Sequence, residues 1–339
     1  MDETVKKDRV SRLEWLWCLG FVVLAAVILT LLGNVLRPVR RDYGSTWDTY
    51  LAEPKNSIDV LFFGSSYAYC DVNPGVIYDE SGLTGYVMAG GEQTMGITYY
   101  YLKEALKTQT PSVVVLEGSG LFFQPYEHYT QINVGYMPFG VNKLGATVEF
   151  SEPELRTGLL FDLYFYHDRW KTLSKEDLTK ALPQRQTDHL KGYTAVERVY
   201  VSETGEPVVT RKIPDEALYR KNLETFYRIA RICGEKGVDL IVTINPTYGQ
   251  FSQEIYDRIT ADVEASGNAR FVNWANAFAQ IGLDPTAHLY DPGHLNREGA
   301  AIFSRYMGRY LREQGYTPRA QGPENENAWR ETSKYWEGQ

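Results

Sequence analysis

Cysteine is nearly absent. The 339 residues hold three, Cys18, Cys70 and Cys233, with no Cys-x-x-Cys pair and no Cys/His cluster. A zinc site therefore finds no ligand set, and neither metal nor cofactor is expected. A Cys70–Cys233 disulfide is open in an oxidising compartment. Two separate buried thiols are the simpler reading, since Cys233 falls on the apolar face of a predicted helix. Positive charge is also short: 35 Lys and Arg stand against 43 Asp and Glu, a formal net charge of −8. Phosphate contacts need clustered cations, so nucleic acid is not expected as a partner. There is no internal repeat. Aromatics are plentiful, with 25 Tyr and 7 Trp. They suit a surface facing carbohydrate or the membrane interface, and buried Tyr is the equal alternative.

The sequence has one long uncharged apolar run. WLWCLGFVVLAAVILTLL covers residues 15–32, and no charge follows until Arg37. About 20 apolar helical residues span a bilayer core of about 30 Å. Trp15 and Trp17 sit at one end, where aromatic belts form. The exit, Gly33-Asn34-Val35-Leu36-Arg37-Pro38, makes a poor cleavage site, which favours an uncleaved anchor over a signal peptide. Four basic residues precede the run and three follow it, Arg37, Arg40 and Arg41. The expectation is a cytoplasmic N-terminal tail (1–14), a transmembrane anchor (15–36), a polar connector (37–57) and an extracytoplasmic domain (58–317). A loosely ordered polar tail (318–339) completes the chain.

After the connector, strand-like and helix-like stretches alternate. Strands are expected over 58–63, 85–89, 112–116, 238–244 and 270–273. Helices are expected over 94–108, 215–236, 250–266 and 296–314. Such alternation implies an α/β fold, three-layer α/β/α, with a central parallel sheet. Residues 121–214 break the pattern and read as an insertion over the active-site end.

Two motifs carry chemistry. Phe63-Gly64-Ser65-Ser66 follows the first strand, where ligands bind in open α/β sheets. Taken alone it is an ordinary turn. Asp291-Pro292-Gly293-His294-Leu295-Asn296 opens the last helix. A His there is able to act as general base, with the Asp orienting its ring; taken alone, Asp291 or Asn296 is a helix cap. Together, a Gly-x-Ser after the first strand and a C-terminal Asp-x-x-His-Leu-Asn-x-x-Gly-Ala resemble the first and last conserved blocks of the SGNH (GDSL-like) hydrolases. The resemblance covers about 58–120 and 238–315. With the N-terminal anchor, it is similar to membrane-bound bacterial members related to the D-alanyl transfer protein of teichoic-acid systems and to alginate O-acetylation factors.

The resemblance implies an SGNH/flavodoxin-like sheet and a triad of Ser66 as nucleophile, His294 as base and Asp291 as orienting acid. Ser65 is the alternate nucleophile if the turn is shifted by one. The family's oxyanion glycine matches Gly91, or Glu92 one residue on. The family's Gly-x-Asn after the third strand is replaced by Glu117-Gly118-Ser119. Gln93, or more weakly Ser119, is then the substitute donor. Ser65, Glu117 and Asn245 are expected to line the substrate pocket. The expected activity is serine-dependent acyl transfer or ester hydrolysis, of the O-acetyl or D-alanyl class, on a cell-surface glycopolymer. A multi-spanning membrane acyltransferase is the implied partner. The rival reading is a non-catalytic scaffold or glycan-binding module. A metal-dependent phosphodiesterase lacks ligands. His128, His167 and His189 fall in the insertion, and the pair Asp284/His288 lacks the Leu-Asn-x-x-Gly-Ala sequence, so all rank behind His294.

Overall fold

The computed structural model describes residues 12–38, 40, 46–179, 188–200, 208–210 and 212–337. The expected cytoplasmic tail lies outside these residues, apart from 12–14. The described chain forms two compact units. One combines the N-terminal helix with 161–179, and the other holds the sheet.

In the second unit the central sheet has five strands, all parallel. They are β1 (Val60–Gly64), β2 (Gly85–Ala89), β3 (Val113–Glu117), β5 (Asp239–Ile244) and β7 (Ala269–Asn273), in spatial order β2-β1-β3-β5-β7. Counted along the chain this is 2-1-3-4-5, a doubly wound order that reverses direction between β1 and β3. β1 and β3 are buried at every position, which explains their unbroken apolar runs. Between β3 and β7 lie two three-residue strands, β4 (Val208–Thr210) and β6 (Gly249–Phe251), which pair with each other.

Helices cover both faces. Val60, Phe62, Val87, Val113, Val115 and Ile241 share one core with Ile77 of the helix Pro74–Ser81 and with Phe303, Met307 and Leu311 of the helix Arg297–Glu313. Alternate strand residues point the other way, toward the helices Met95–Ala105 and Glu216–Lys236. The α/β class and the parallel sheet agree with the sequence reading.

Three segments differ from it. The connector contains the short helix Trp47–Tyr50, whose Trp47 and Tyr50 are fully buried, so its end belongs to the core. The tail carries the helix Pro323–Glu337, with Trp329 1% exposed and stacked on Tyr78 at 5.1 Å. The insertion is divided between the two units. Its helix Val141–Phe150 packs on Met95–Ala105, while 161–179 joins the other unit.

In the first unit, Arg12–Leu36 is one continuous helix, and Leu13–Leu36 is long and apolar enough to cross a membrane.

Candidate active site

The turn that carries Ser66 begins at Gly64, the last residue of β1. Its φ is +147°, and a Cβ there would lie 2.8 Å from the Cβ of Glu117. Only glycine satisfies both conditions. Ser65 then caps the one-turn helix Ser66–Tyr69, its hydroxyl accepting the Tyr67 N–H at 3.4 Å. Ser65 is fully buried, 3.0 Å from the Ser119 hydroxyl. Ser66 is the serine turned toward the histidine.

The partner groups come from the other end of the chain. Leu289 and Leu295, both fully buried, form an antiparallel bridge that closes a tight loop. Within it, one Asp291 oxygen accepts the backbone N–H groups of Gly293 (2.7 Å) and His294 (2.9 Å). The same carboxylate lies 2.8 Å from His294 Nδ1. His294 Nε2 lies 2.7 Å from Ser66 Oγ. With Nδ1–H given to the carboxylate, Nε2 is free to accept the seryl proton. Burial alone would raise the Asp291 carboxyl. The His294 contact and the two backbone donors outweigh it and hold the group below the usual carboxylate range. Tyr67 (4.5 Å) and Tyr290 (5.1 Å) both stack on the imidazole and restrict its rotation.

The helix that follows is capped by Asn296, whose side-chain oxygen accepts the Gly299 N–H at 3.0 Å. The cap and the imidazole facing Ser66 are thus different residues of the motif. Gly299 is required by proximity, since a Cβ there would sit 2.2 Å from the His288 carbonyl oxygen.

Asp71 carried no signal in the sequence, yet it joins the two motifs. Its carboxylate accepts the Leu295 N–H at 2.9 Å and the Asn245 side-chain amide at 3.2 Å. Asn245 also donates to the Tyr67 carbonyl at 2.7 Å. Asn245 thus braces the turn that carries Ser66 besides bordering a cavity. Complete burial pushes the Asp71 carboxyl well above its ordinary range.

The expected oxyanion donors fare differently. Gln93 is fully buried and turns its amide nitrogen inward, to Thr98 Oγ1 (3.0 Å) and the Met88 carbonyl (3.4 Å). Both amide hydrogens have partners inside the fold, so Gln93 is not a side-chain donor for an oxyanion in this arrangement. Gly91 lies under the Tyr129 ring, and its carbonyl accepts from Asn133 at 3.0 Å. Glu117, at the end of β3, accepts the Ser119 N–H at 3.0 Å and also receives that residue's hydroxyl. Burial raises its carboxyl to about 7. A cavity of about 270 Å³ lies beside this group, bordered by Tyr67, Glu117, Ser119, Phe122, Asn245 and Phe251 among others. Of the expected pocket residues, Glu117 and Asn245 border it.

The other histidines stand apart. His288 accepts the Asp284 N–H at 2.8 Å in a turn of its own. His189 stacks on Tyr335, and His128 meets Tyr129 edge-on. Cys70 and Cys233 are both buried and unbonded, and burial pushes the Cys233 thiol up to about 12.

Such an arrangement is chemically able to activate a serine hydroxyl. No protein-family model matches the chain, and no curated protein matches it in sequence.

Proposed function

We propose that the chain is a membrane-anchored serine acyl-transfer enzyme or esterase acting on cell-surface glycopolymers, of the O-acetyl or D-alanyl class. The observation that carries this reading is the continuous relay Asp291–His294–Ser66, closed at 2.8 Å and 2.7 Å by residues from opposite ends of the chain. Ser66 attacks the acyl carbonyl while His294 takes its proton, and Asp291 stabilises the imidazolium. Collapse of the tetrahedral intermediate leaves an acyl-Ser66 ester, with the imidazolium protonating the leaving oxygen. The acceptor, a glycan hydroxyl or water, then gives its proton to His294 and takes the acyl group, and His294 returns that proton to Ser66 Oγ as the ester breaks. The Gly91 N–H is the proposed oxyanion donor. In the same proposal the N-terminus is cytoplasmic, the site lies outside, and a multi-spanning acyltransferase delivers the acyl group.

One observation favours a second reading. With Gln93 bonded inward and Glu117-Gly118-Ser119 after β3, side-chain oxyanion donors are few. This suits a non-catalytic glycan-binding module. One experiment separates the two. The detergent-solubilised full-length protein is treated with a fluorophosphonate and with a chromogenic acetate ester. Labelling and turnover that vanish in Ser66→Ala support the enzyme; a wild type that neither labels nor turns over supports the binding module. Equal labelling of both proteins refutes Ser66 as the nucleophile.

A further inference from the structure

The N-terminal helix changes its surroundings at a definite level. From Leu13 to Leu32 its large apolar side chains are exposed, Leu31 alone being half-buried, with Leu13 at 64% and Leu32 at 45%. One residue later the helix is covered: Gly33 and Leu36 are buried. At 1.5 Å per residue, the 20 residues from 13 to 32 measure about 30 Å, the thickness of a bilayer's hydrocarbon core. The cover starts where a bilayer core of that thickness would end.

That cover is a collar formed by 161–179. It consists of the helix Asp162–Tyr166, the turn His167–Thr172 and the helix Lys175–Thr179. Gly33 faces the collar, where a Cβ would meet that of Asp162 in ordinary contact at 3.6 Å. Asp162 also lies 3.8 Å from the Arg37 guanidinium. Arg169 donates to the Leu36 carbonyl at 2.6 Å and to Asp177 at 3.2 Å, so a cation caps the helix's last turn. The collar is thus fastened to the helix end by charge and hydrogen bonds.

Its exposed side chains include four large apolar ones beside the polar His167, Asp168 and Lys171. Phe161, Tyr164, Trp170 and Leu178 are 64%, 61%, 66% and 59% exposed. The collar contains three basic residues and four acidic ones, so charge attraction gives no reason for this exposure. Tyr and Trp rings, apolar with one polar atom, partition to the headgroup level of a bilayer.

We infer that 161–179 is a second membrane contact, lying in the outer headgroup layer with Tyr164, Trp170 and Leu178 against the upper acyl chains. This rests on the anchor reading of residues 13–36. It gives the chain a fixed rotational and depth reference at the membrane, which a lone spanning helix does not provide.

The test uses the full-length chain in phosphatidylcholine vesicles, in a Cys18→Ser, Cys70→Ala, Cys233→Ala background, with an environment-sensitive fluorophore on the single introduced cysteine. Tyr164→Cys, Trp170→Cys and Leu178→Cys are made separately, with Val27→Cys as the reference within the span. Quenching is measured with headgroup nitroxide lipid, with deep-chain nitroxide lipid and with aqueous iodide. The expected result is at least twofold stronger quenching of collar labels by the headgroup nitroxide than by the deep one, and the reverse at Val27. Collar labels quenched only by iodide place the segment in water and overturn the proposal. Collar labels shielded from all three show that protein, not lipid, covers them, and overturn it equally. If Val27 itself escapes both lipid quenchers, the anchor reading fails, and the collar proposal with it.

Discussion

Asp71 accepts the Leu295 N–H at 2.9 Å across 224 residues of sequence, and the same carboxylate receives the Asn245 amide. This contact fixes the loop bearing Asp291 and His294 to the turn bearing Ser66. Asp71→Asn preserves volume but sets an NH2 group against one of two donors. Leaving a buried donor without its acceptor costs about 1–3 kcal/mol. If Asp71 acts by positioning, turnover of a chromogenic ester falls about 10- to 100-fold in kcat with KM little changed. A fall confined to thermal stability, with kcat intact, would show that the contact is only structural.

Asp291 receives three donors on one oxygen: the Gly293 N–H, the His294 N–H and the imidazole Nδ1. Asn at this position is able to keep the backbone bonds through its carbonyl. Its amide then favours the tautomer protonated at Nε2, which no longer accepts the Ser66 proton. Turnover and fluorophosphonate labelling of Asp291→Asn are expected to fall together by about 10³–10⁴-fold, with an almost unchanged melting temperature. Labelling at the wild-type rate would remove Asp291 from the relay.

Much of this site was legible in sequence because each half is local. Gly64-Ser65-Ser66 directly follows a wholly apolar strand, and Asp291 to Asn296 is a contiguous loop leading into a helix. The central strands were legible for a similar reason, since burial on both faces leaves runs such as Val113–Leu116 with no polar residue. Asp71 was not legible, because its partners are a backbone N–H and an amide more than 170 residues away. Gln93 misled for the opposite reason. It follows β2, where a donor is expected, but a side chain's direction is set by local packing, here by Thr98 and the Met88 carbonyl. The collar escaped notice because aromatic residues over 161–170 fit a surface loop as well as a helix end.

Glu117 predicts a pH dependence of stability. Its carboxyl ordinarily titrates at 4.5 and is raised to about 7 in the fold by burial. Between those values the folded state holds more protons than the unfolded one, so stability declines as pH rises. The contribution is fully present below about pH 4.5 and is lost as pH passes through about 7. Glu117→Gln keeps an acceptor for the Ser119 N–H and does not titrate. Thermal unfolding from pH 4.5 to 8 is expected to show the wild type losing, relative to Glu117→Gln, on the order of 3 kcal/mol at most. Parallel curves for the two proteins would mean that Glu117 stays charged throughout.

The last helix, Pro323–Glu337, hides its packing in a polar sequence. Only Trp329 and Thr332 of its described side chains are fully buried, with Trp336 partly covered, a spacing of three, four and seven that marks one helical face. Trp329 stacks on Tyr78 and lies 5.0 Å from the ammonium of Lys191, which is 2% exposed and paired with Glu53 at 2.6 Å. Removing the indole opens a cavity and brings water to a buried ion pair. Trp329→Ala is therefore expected to destabilise the sheet unit by about 3–5 kcal/mol and to lower its melting temperature by roughly 6–20 °C. Tyr335 is 41% exposed on the same helix. Tyr335→Ala, as the comparison, is expected to shift the transition by less than about 0.5 kcal/mol. If the two substitutions have equally small effects in differential scanning fluorimetry, the helix does not dock on the domain in solution, and the polar composition of the tail was the better guide.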